Sequence, residues 1–235
     1  MNKWRHEYKY YSPENVLKVI QFRVESLLEK DSHAGEKGFY HIRSIYFDDY
    51  FNSCYYENEN GTDPREKFRI RIYNNSVERI TLELKQKQNG KCLRKSCSIS
   101  FERVKALMNK DLTNEVLTFK NSDCFLYKKF YSEILMKNLH PVNIVCYDRI
   151  PFVNETGNVR ITFDRNIRSG IDFLKFFDDD LPVRPILQCN TNLIEVKFDE
   201  LLPDYINNIL QTGLLKQTSF SKYYLCRKFG MNQTI

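Results

Sequence analysis

With 235 residues and a formal net charge of +6, the chain can bury a large core, and its mild basic excess suits an anionic ligand without demanding nucleic acid. Seven cysteines with no CxxC and four scattered histidines argue against a disulfide framework and against zinc. The N-terminus lacks a signal-peptide core and no apolar run nears the roughly 20 residues of a membrane span, so a cytoplasmic protein with reduced thiols is expected.

In chain order, residues 3–11 read as a strand. Ser12-Pro13-Glu14 reads as a helix start, with Ser12 as N-cap and Pro13 in the first position. Val16, Leu17, Val19, Ile20, Val24, Leu27 and Leu28 then give an apolar face to about residue 29. A loop covers 31–38, a strand 39–49, a short helix or turn 50–60, and strands 65–74 and 78–88. Asn89-Gly90 is a hairpin signal leading into a strand at 91–99. Ser100 caps a short helix over 101–109, and Phe125, Leu126, Phe130, Ile134 and Leu135 mark a helix over 123–138. Strands at 142–153 and 157–165 flank the turn Asn154-Glu155-Thr156-Gly157, and 166–191 reads as irregular. A strand holds Glu195 and Lys197, a helix opens at Pro203, and a last helix falls within 219–230. About eight strands in one continuous pattern over 1–235 predict a single α+β domain, an eight-stranded antiparallel β-barrel with helices packed outside.

Several strands alternate charged with apolar residues. Lys67, Arg69 and Arg71 share one face of their strand, with Phe68, Ile70 and Ile72 opposite. Glu83, Lys85 and Lys87 alternate with Leu82 and Leu84. The same period places Arg5, Glu7 and Lys9 together, Arg160 with Asp164, and Glu195 with Lys197. A solvated sheet face would also carry Thr, Ser, Gln and Asn, which are sparse here. Converged inside a closed sheet, these bases would bind phosphate chains or nucleoside triphosphates. The acids among them suit a hard divalent cation bridging carboxylate and phosphate. Phosphoryl transfer needs positioning and charge stabilisation more than a nucleophile, so such a tunnel can be an active site.

The stretches Arg5-His6-Glu7-Tyr8-Lys9-Tyr10, Arg65-Glu66-Lys67-Phe68-Arg69-Ile70-Arg71, Leu82-Glu83-Leu84-Lys85, Tyr147-Asp148-Arg149, Val159-Arg160-Ile161-Thr162-Phe163-Asp164, Ile194-Glu195-Val196-Lys197-Phe198 and Ser221-Lys222-Tyr223 resemble, in order, the VTC (vacuolar transporter chaperone) domain of the triphosphate tunnel metalloenzymes. So does Ile42-Arg43-Ser44-Ile45-Tyr46-Phe47-Asp48. The resemblance covers nearly the whole chain. It implies a polyphosphate polymerase that moves the γ-phosphoryl of ATP onto a growing polyphosphate chain, with Mn2+ or Mg2+. By motif, Lys9, Arg69, Arg71 and Lys222 would be catalytic. Arg5, Arg43, Lys67, Lys85, Lys87, Arg94, Arg149, Arg160 and Lys197 would bind phosphate, with Lys95 the alternative to Arg94. Arg43 has a second reading, a structural pairing with Asp48 or Asp49. Glu195 would be the principal metal ligand; Glu7 and Glu83 read first as salt-bridge organisers and then as ligands.

Where the superfamily's first strand often reads Glu-x-Glu-x-Lys, this chain has Arg5-x-Glu7-x-Lys9. The missing acid is expected on the VTC branch and disfavours hydrolysis, because fewer carboxylates activate a metal-bound water less. A triphosphatase and a non-catalytic polyanion-binding module are the alternatives. RNA recognition is disfavoured, since the aromatics alternate onto the face opposite the bases. The matching stretch holds neither the SPX phosphate-sensing domain nor the membrane helices of eukaryotic members, so regulation through that module is not expected in this chain. A separate membrane protein is a conceivable partner that would hold the chain at the inner face of a membrane.

Overall fold

The computed structural model describes residues 3–109, 124–188, 190–211 and 213–231. Among them, eight long strands carry the fold: β1 (His6–Pro13), β2 (Tyr40–Asp48), β3 (Arg65–Tyr73), β4 (Thr81–Gln88), β5 (Lys91–Ser98), β6 (His140–Asn154), β7 (Val159–Gly170) and β8 (Thr191–Phe198). They pair antiparallel in the order β1-β8-β7-β6-β2-β3-β4-β5. The two ends of this order meet where Arg5 and Cys92 exchange backbone hydrogen bonds of 3.0 and 2.9 Å. That bridge closes the curled sheet into a barrel. Two-residue strands at Glu29–Lys30, Arg184–Pro185 and Lys216–Gln217 extend the same sheet.

Among the described residues six helices accompany the barrel: α1 (Glu14–Glu25), α2 (Ser53–Glu59), α3 (Phe101–Met108), α4 (Phe125–Lys137), α5 (Asp204–Leu210) and α6 (Lys222–Met231). The apolar core lies outside the barrel. Ile70, Ile72, Leu82 and Leu84 point away from the axis and pack under Val104, Leu107, Phe130 and Ile134 of α3 and α4. Leu17, Ile20 and Val24 of α1, with Ile206 of α5, cover Phe152, Ile161, Phe163, Ile194 and Val196. Phe130 is fully buried, with its ring 5.0 Å from those of Phe47 and Phe68, so truncation to alanine would cost about 3–5 kcal/mol.

Local chemistry explains most boundaries. Asn89 and Gly90 both take positive φ (51° and 73°), as a tight two-residue hairpin with right-handed twist requires. Ser100 caps α3 by accepting from the Arg103 amide. Asn138 ends α4 in the left-handed region. Two expectations are corrected. β1 runs through Ser12 to Pro13, and the Ser12 hydroxyl donates to the Pro13 carbonyl instead of capping α1. β7 continues through residues 166–170, because a bulge between Cys146 and Asp148 lets β6 stay paired with it. Residue 123, the expected start of α4, lies outside the described residues.

Candidate active site: a basic tunnel

The charged faces of the strands converge on a cavity of about 1010 Å³. Lys9, Arg69, Arg71 and Lys222 line it, as do Arg5, Lys67, Lys85 and Lys87. Arg94, Arg149, Arg160 and Lys197 complete the basic set, and Glu7 and Glu195 face the same space. Arg94, not Lys95, is the inward residue, because it stands opposite Lys85 in the β4–β5 register. Lys95 instead lies near the Phe125 ring.

One predicted residue falls elsewhere and another is covered. Arg43 is on the outer face of β2, where its Nη1 donates to the carbonyls of Phe176 (2.6 Å) and Asp178 (2.7 Å). It pairs with neither Asp48 nor Asp49. Both faces of β2 carry mixed residues, so alternation alone gives no parity for Arg43. Glu83 points inward but is sealed beneath its partners: Arg69 Nε donates to it at 2.7 Å and Arg94 lies 3.4 Å away. Burial raises its pKa, but the Arg69, Arg71 and Arg94 charges outweigh that and hold its carboxyl well below the usual range.

The tunnel charges form a linked set. Arg149 makes a bidentate pair with Asp164 at 2.6 and 2.7 Å, and Lys222 reaches the same carboxylate at 2.6 Å. Glu195 holds Lys197 at 2.6 Å. Glu7 binds Lys9 at 2.8 Å and takes Lys85 on both oxygens at 2.9 and 3.0 Å. Burial pushes the carboxyls of Glu7 and Glu195 up, yet the surrounding lysines hold both well below the usual range. Arg71 is set by Ser44 Oγ at 3.2 Å and Tyr147 OH at 3.1 Å. The segment before α6 enters the cavity: Phe220 accepts from Lys9 Nζ at 2.9 Å, and Ser221 Oγ from Lys67 Nζ at 3.2 Å.

Sequence reasoning gave no role to Asp164, Asp31, Tyr46 or Tyr147. Asp164 shares the parity of Arg160 on β7, which was a usable signal. Asp31 lies in a loop and has none, yet it pairs with Arg160 at 2.7 Å. Tyr46 accepts from Arg69 Nη1 at 2.9 Å.

Glu195 fits a divalent cation better than Glu7 or Glu83 does. Its Oε2 lies 3.8 Å from both Arg149 and Lys222, whereas both oxygens of Glu7 and of Glu83 are closely held. Among the described residues no three His, Cys, Asp or Glu side chains form a metal cage. An ion here would therefore draw its remaining ligands from phosphate oxygens and water, the usual habit of Mg2+.

A closed antiparallel barrel with cations inside and its core outside defines a basic tunnel. The VTC domain family model matches residues 4–229, and the chain belongs to that family. No curated protein matches the chain significantly. Among solved structures, the chain is similar to a putative adenylyl cyclase from Hippeastrum described as having a dominant triphosphatase activity. Their identity is 11%, the TM-score 0.54, and 97% of this chain and 96% of that chain are covered. That likeness shows the fold. The PH1819 protein of Pyrococcus horikoshii OT3 aligns at 16% identity and a TM-score of 0.48, over 96% of this chain and 99% of its own. A putative adenylate cyclase from Bacillus halodurans aligns at 15% identity and 0.48, over 91% and 89%. Among the described residues, no helix is long and apolar enough to cross a membrane.

Proposed function

We propose that the tunnel is the active site of a metal-dependent polyphosphate polymerase. The observation that carries this reading is the convergence of the Lys9, Arg69, Arg71 and Lys222 side chains, with Glu195, on one cavity. The terminal phosphate oxygen of the growing chain attacks the γ-phosphorus of ATP, one P–O bond forms, the bond to the β-phosphate oxygen breaks, and ADP leaves. Arg69 and Arg71 present fixed guanidinium forks, because Glu83, Tyr46, Ser44 and Tyr147 hold them in place. Lys9 and Lys222 supply mobile point charges for the oxygens that gain charge during transfer. Glu195, with Glu7 less suited, would hold Mn2+ or Mg2+, which would neutralise phosphate charge and fix its orientation.

A triphosphatase in the same tunnel is the second reading. Against it stands Arg5, which occupies the first-strand acid position, lies 3.1 Å from Asp199 and leaves fewer carboxylates to activate water. The third is a polyanion-binding module without turnover. Incubation with ATP and Mn2+, a polyphosphate-staining gel, and assays of ADP and free phosphate separate the three. Long chains with matching ADP are the expected result. Free phosphate without chains would establish the hydrolase, and neither product despite tight tripolyphosphate binding the module. Glu195→Gln should abolish turnover while leaving metal-free tripolyphosphate binding within a few-fold. Unchanged turnover would remove Glu195 from the mechanism.

A further inference from the structure

Asp31 lines the tunnel, where an acid repels a polyanion and weakens its binding unless it serves another group. The strap that carries it is fixed to the barrel. Glu29 and Lys30 pair with Val153 and Phe152 of β6, and the Asp31 amide donates to the Pro151 carbonyl at 3.1 Å. Its Oδ1 accepts from the His33 amide at 3.0 Å and lies 2.8 Å from His33 Nδ1. Its Oδ2 is left for Arg160 Nη2, which it meets at 2.7 Å. Asp31 is 7% exposed, so the carboxylate is an anchored point and not a mobile counter-ion.

The tie on Arg160 is partial. Nη2 is shared between Asp31 and the Tyr40 hydroxyl at 2.9 Å, and Tyr40 is itself set edge-on against Tyr73, with ring centroids 5.5 Å apart. Among the described residues, Arg160 Nε and Nη1 donate to no protein acceptor. Arg149 differs, because two nitrogens of its fork are committed to Asp164. A like charge also lies beside Arg160: Arg5 reaches the Lys197 carbonyl at 3.5 Å, and Lys197 stands opposite Arg160 in register. Without Asp31, that repulsion would turn the guanidinium towards solvent. We propose that Asp31 is a positioning residue for phosphate binding, which holds Arg160 by one nitrogen and leaves Nε and Nη1 for phosphate oxygens. The proposal rests on the reading of the tunnel as a phosphate site, and not on whether the tunnel synthesises or hydrolyses.

The test is calorimetry of metal-free tripolyphosphate against the full chain and its Asp31→Asn variant. The substitution is nearly isosteric and keeps an Oδ1 acceptor for the His33 amide. Charge alone predicts tighter binding, because a negative group leaves a basic wall. Positioning predicts the opposite sign: about tenfold weaker binding, partly restored by Asp31→Glu. In an Arg160→Ala background, Asp31→Asn should no longer weaken binding, since the group it acts through is gone. Equal or tighter binding by Asp31→Asn in the otherwise unaltered chain would overturn the proposal. So would the same weakening with and without Arg160, which is what a general loss of structure would give. A wild-type chain that does not bind tripolyphosphate would overturn the phosphate-site reading and this proposal together, an outcome distinct from the other two.

Discussion

The Tyr46 hydroxyl accepts from Arg69 at 2.9 Å, and Lys67 lies 5.8 Å from the Tyr46 ring centroid. Burial acts to raise the Tyr46 pKa, but the Arg69, Lys67 and Arg71 charges outweigh it and bring the phenol to about 7. Burial, reinforced by the Lys85 charge, lowers the Lys67 ammonium to about 8. Both folded values lie below the unfolded ones, near 10. Between them the unfolded chain holds protons that the folded chain has released, so these two groups contribute stability that grows towards pH 10 and is lost as pH falls through 8 and 7. Anion binding runs the other way, because raising pH neutralises Lys67 and ionises Tyr46. Tripolyphosphate affinity should therefore fall at least about tenfold more between pH 6.5 and 9 in the wild type than in a Tyr46→Phe, Lys67→Arg double variant. Parallel calorimetric profiles for the two proteins would refute the assignment. Glu83, 2% exposed, has a depressed folded pKa, so its contribution is present above pH about 4.3 and is lost as acid titrates it. Glu83→Gln should cost about 3–5 kcal/mol in urea denaturation at pH 7, because Arg69 would lose its buried counter-charge.

Among the elements, the end of β2 organises two helices through one carboxylate. Asp48 is fully buried and accepts from the amides of Asp49 and Cys54 at 2.9 Å and of Tyr55 at 3.2 Å. These bonds supply the N-terminal turn of α2 with an acceptor that its N-cap residue Asn52, in the left-handed region, does not provide. The Tyr223 hydroxyl of α6 donates to the same carboxylate, so α2 and α6 are tied at one point. Lys222, one residue earlier on α6, is thereby held where it meets Asp164. Asp48→Ala should destabilise the fold by about 3 kcal/mol and raise amide exchange in α2 and α6 before the barrel strands exchange. Equal protection of both helices in wild type and variant would separate Asp48 from their docking.

For the whole molecule, the barrel encloses more cations than carboxylates, and a bound polyanion would relieve their repulsion. Tripolyphosphate at one hundred times its Kd should stabilise the fold by about 2.7 kcal/mol, a rise of roughly 5–10 °C in Tm. The rise should shrink with added salt, since screening weakens the attraction. A salt-independent shift measured by calorimetry would point to a contact other than the charged wall. Closure of the barrel rests on the Arg5–Cys92 bridge, in which the Cys92 amide donates to the Arg5 carbonyl. Cys92→Pro removes that donor and should reduce tripolyphosphate affinity through loss of the converged geometry.

The two-residue period in Lys67-Phe68-Arg69-Ile70-Arg71 determined by itself which side chains share a face, because strand geometry leaves no other choice. It therefore put Lys67, Arg69 and Arg71 on one face, and likewise Arg5 with Lys9 and Lys85 with Lys87, while the Asn89-Gly90 turn marked the hairpin and only the family resemblance pointed to Arg94, Arg149 and Lys222. It could not show the parity of Arg43, since neither face of β2 is uniformly apolar. Nor could it show that Asp164 would join Arg149 and Lys222, which are 15 residues and nearly 60 residues away in the chain. Those pairings depend on how far the sheet curls and which register brings β6, β7 and α6 together. The same register set Arg43 and Arg168 on either side of Cys146, outside the tunnel. Local sequence fixes side-chain direction; only closure of the sheet fixes which charges meet.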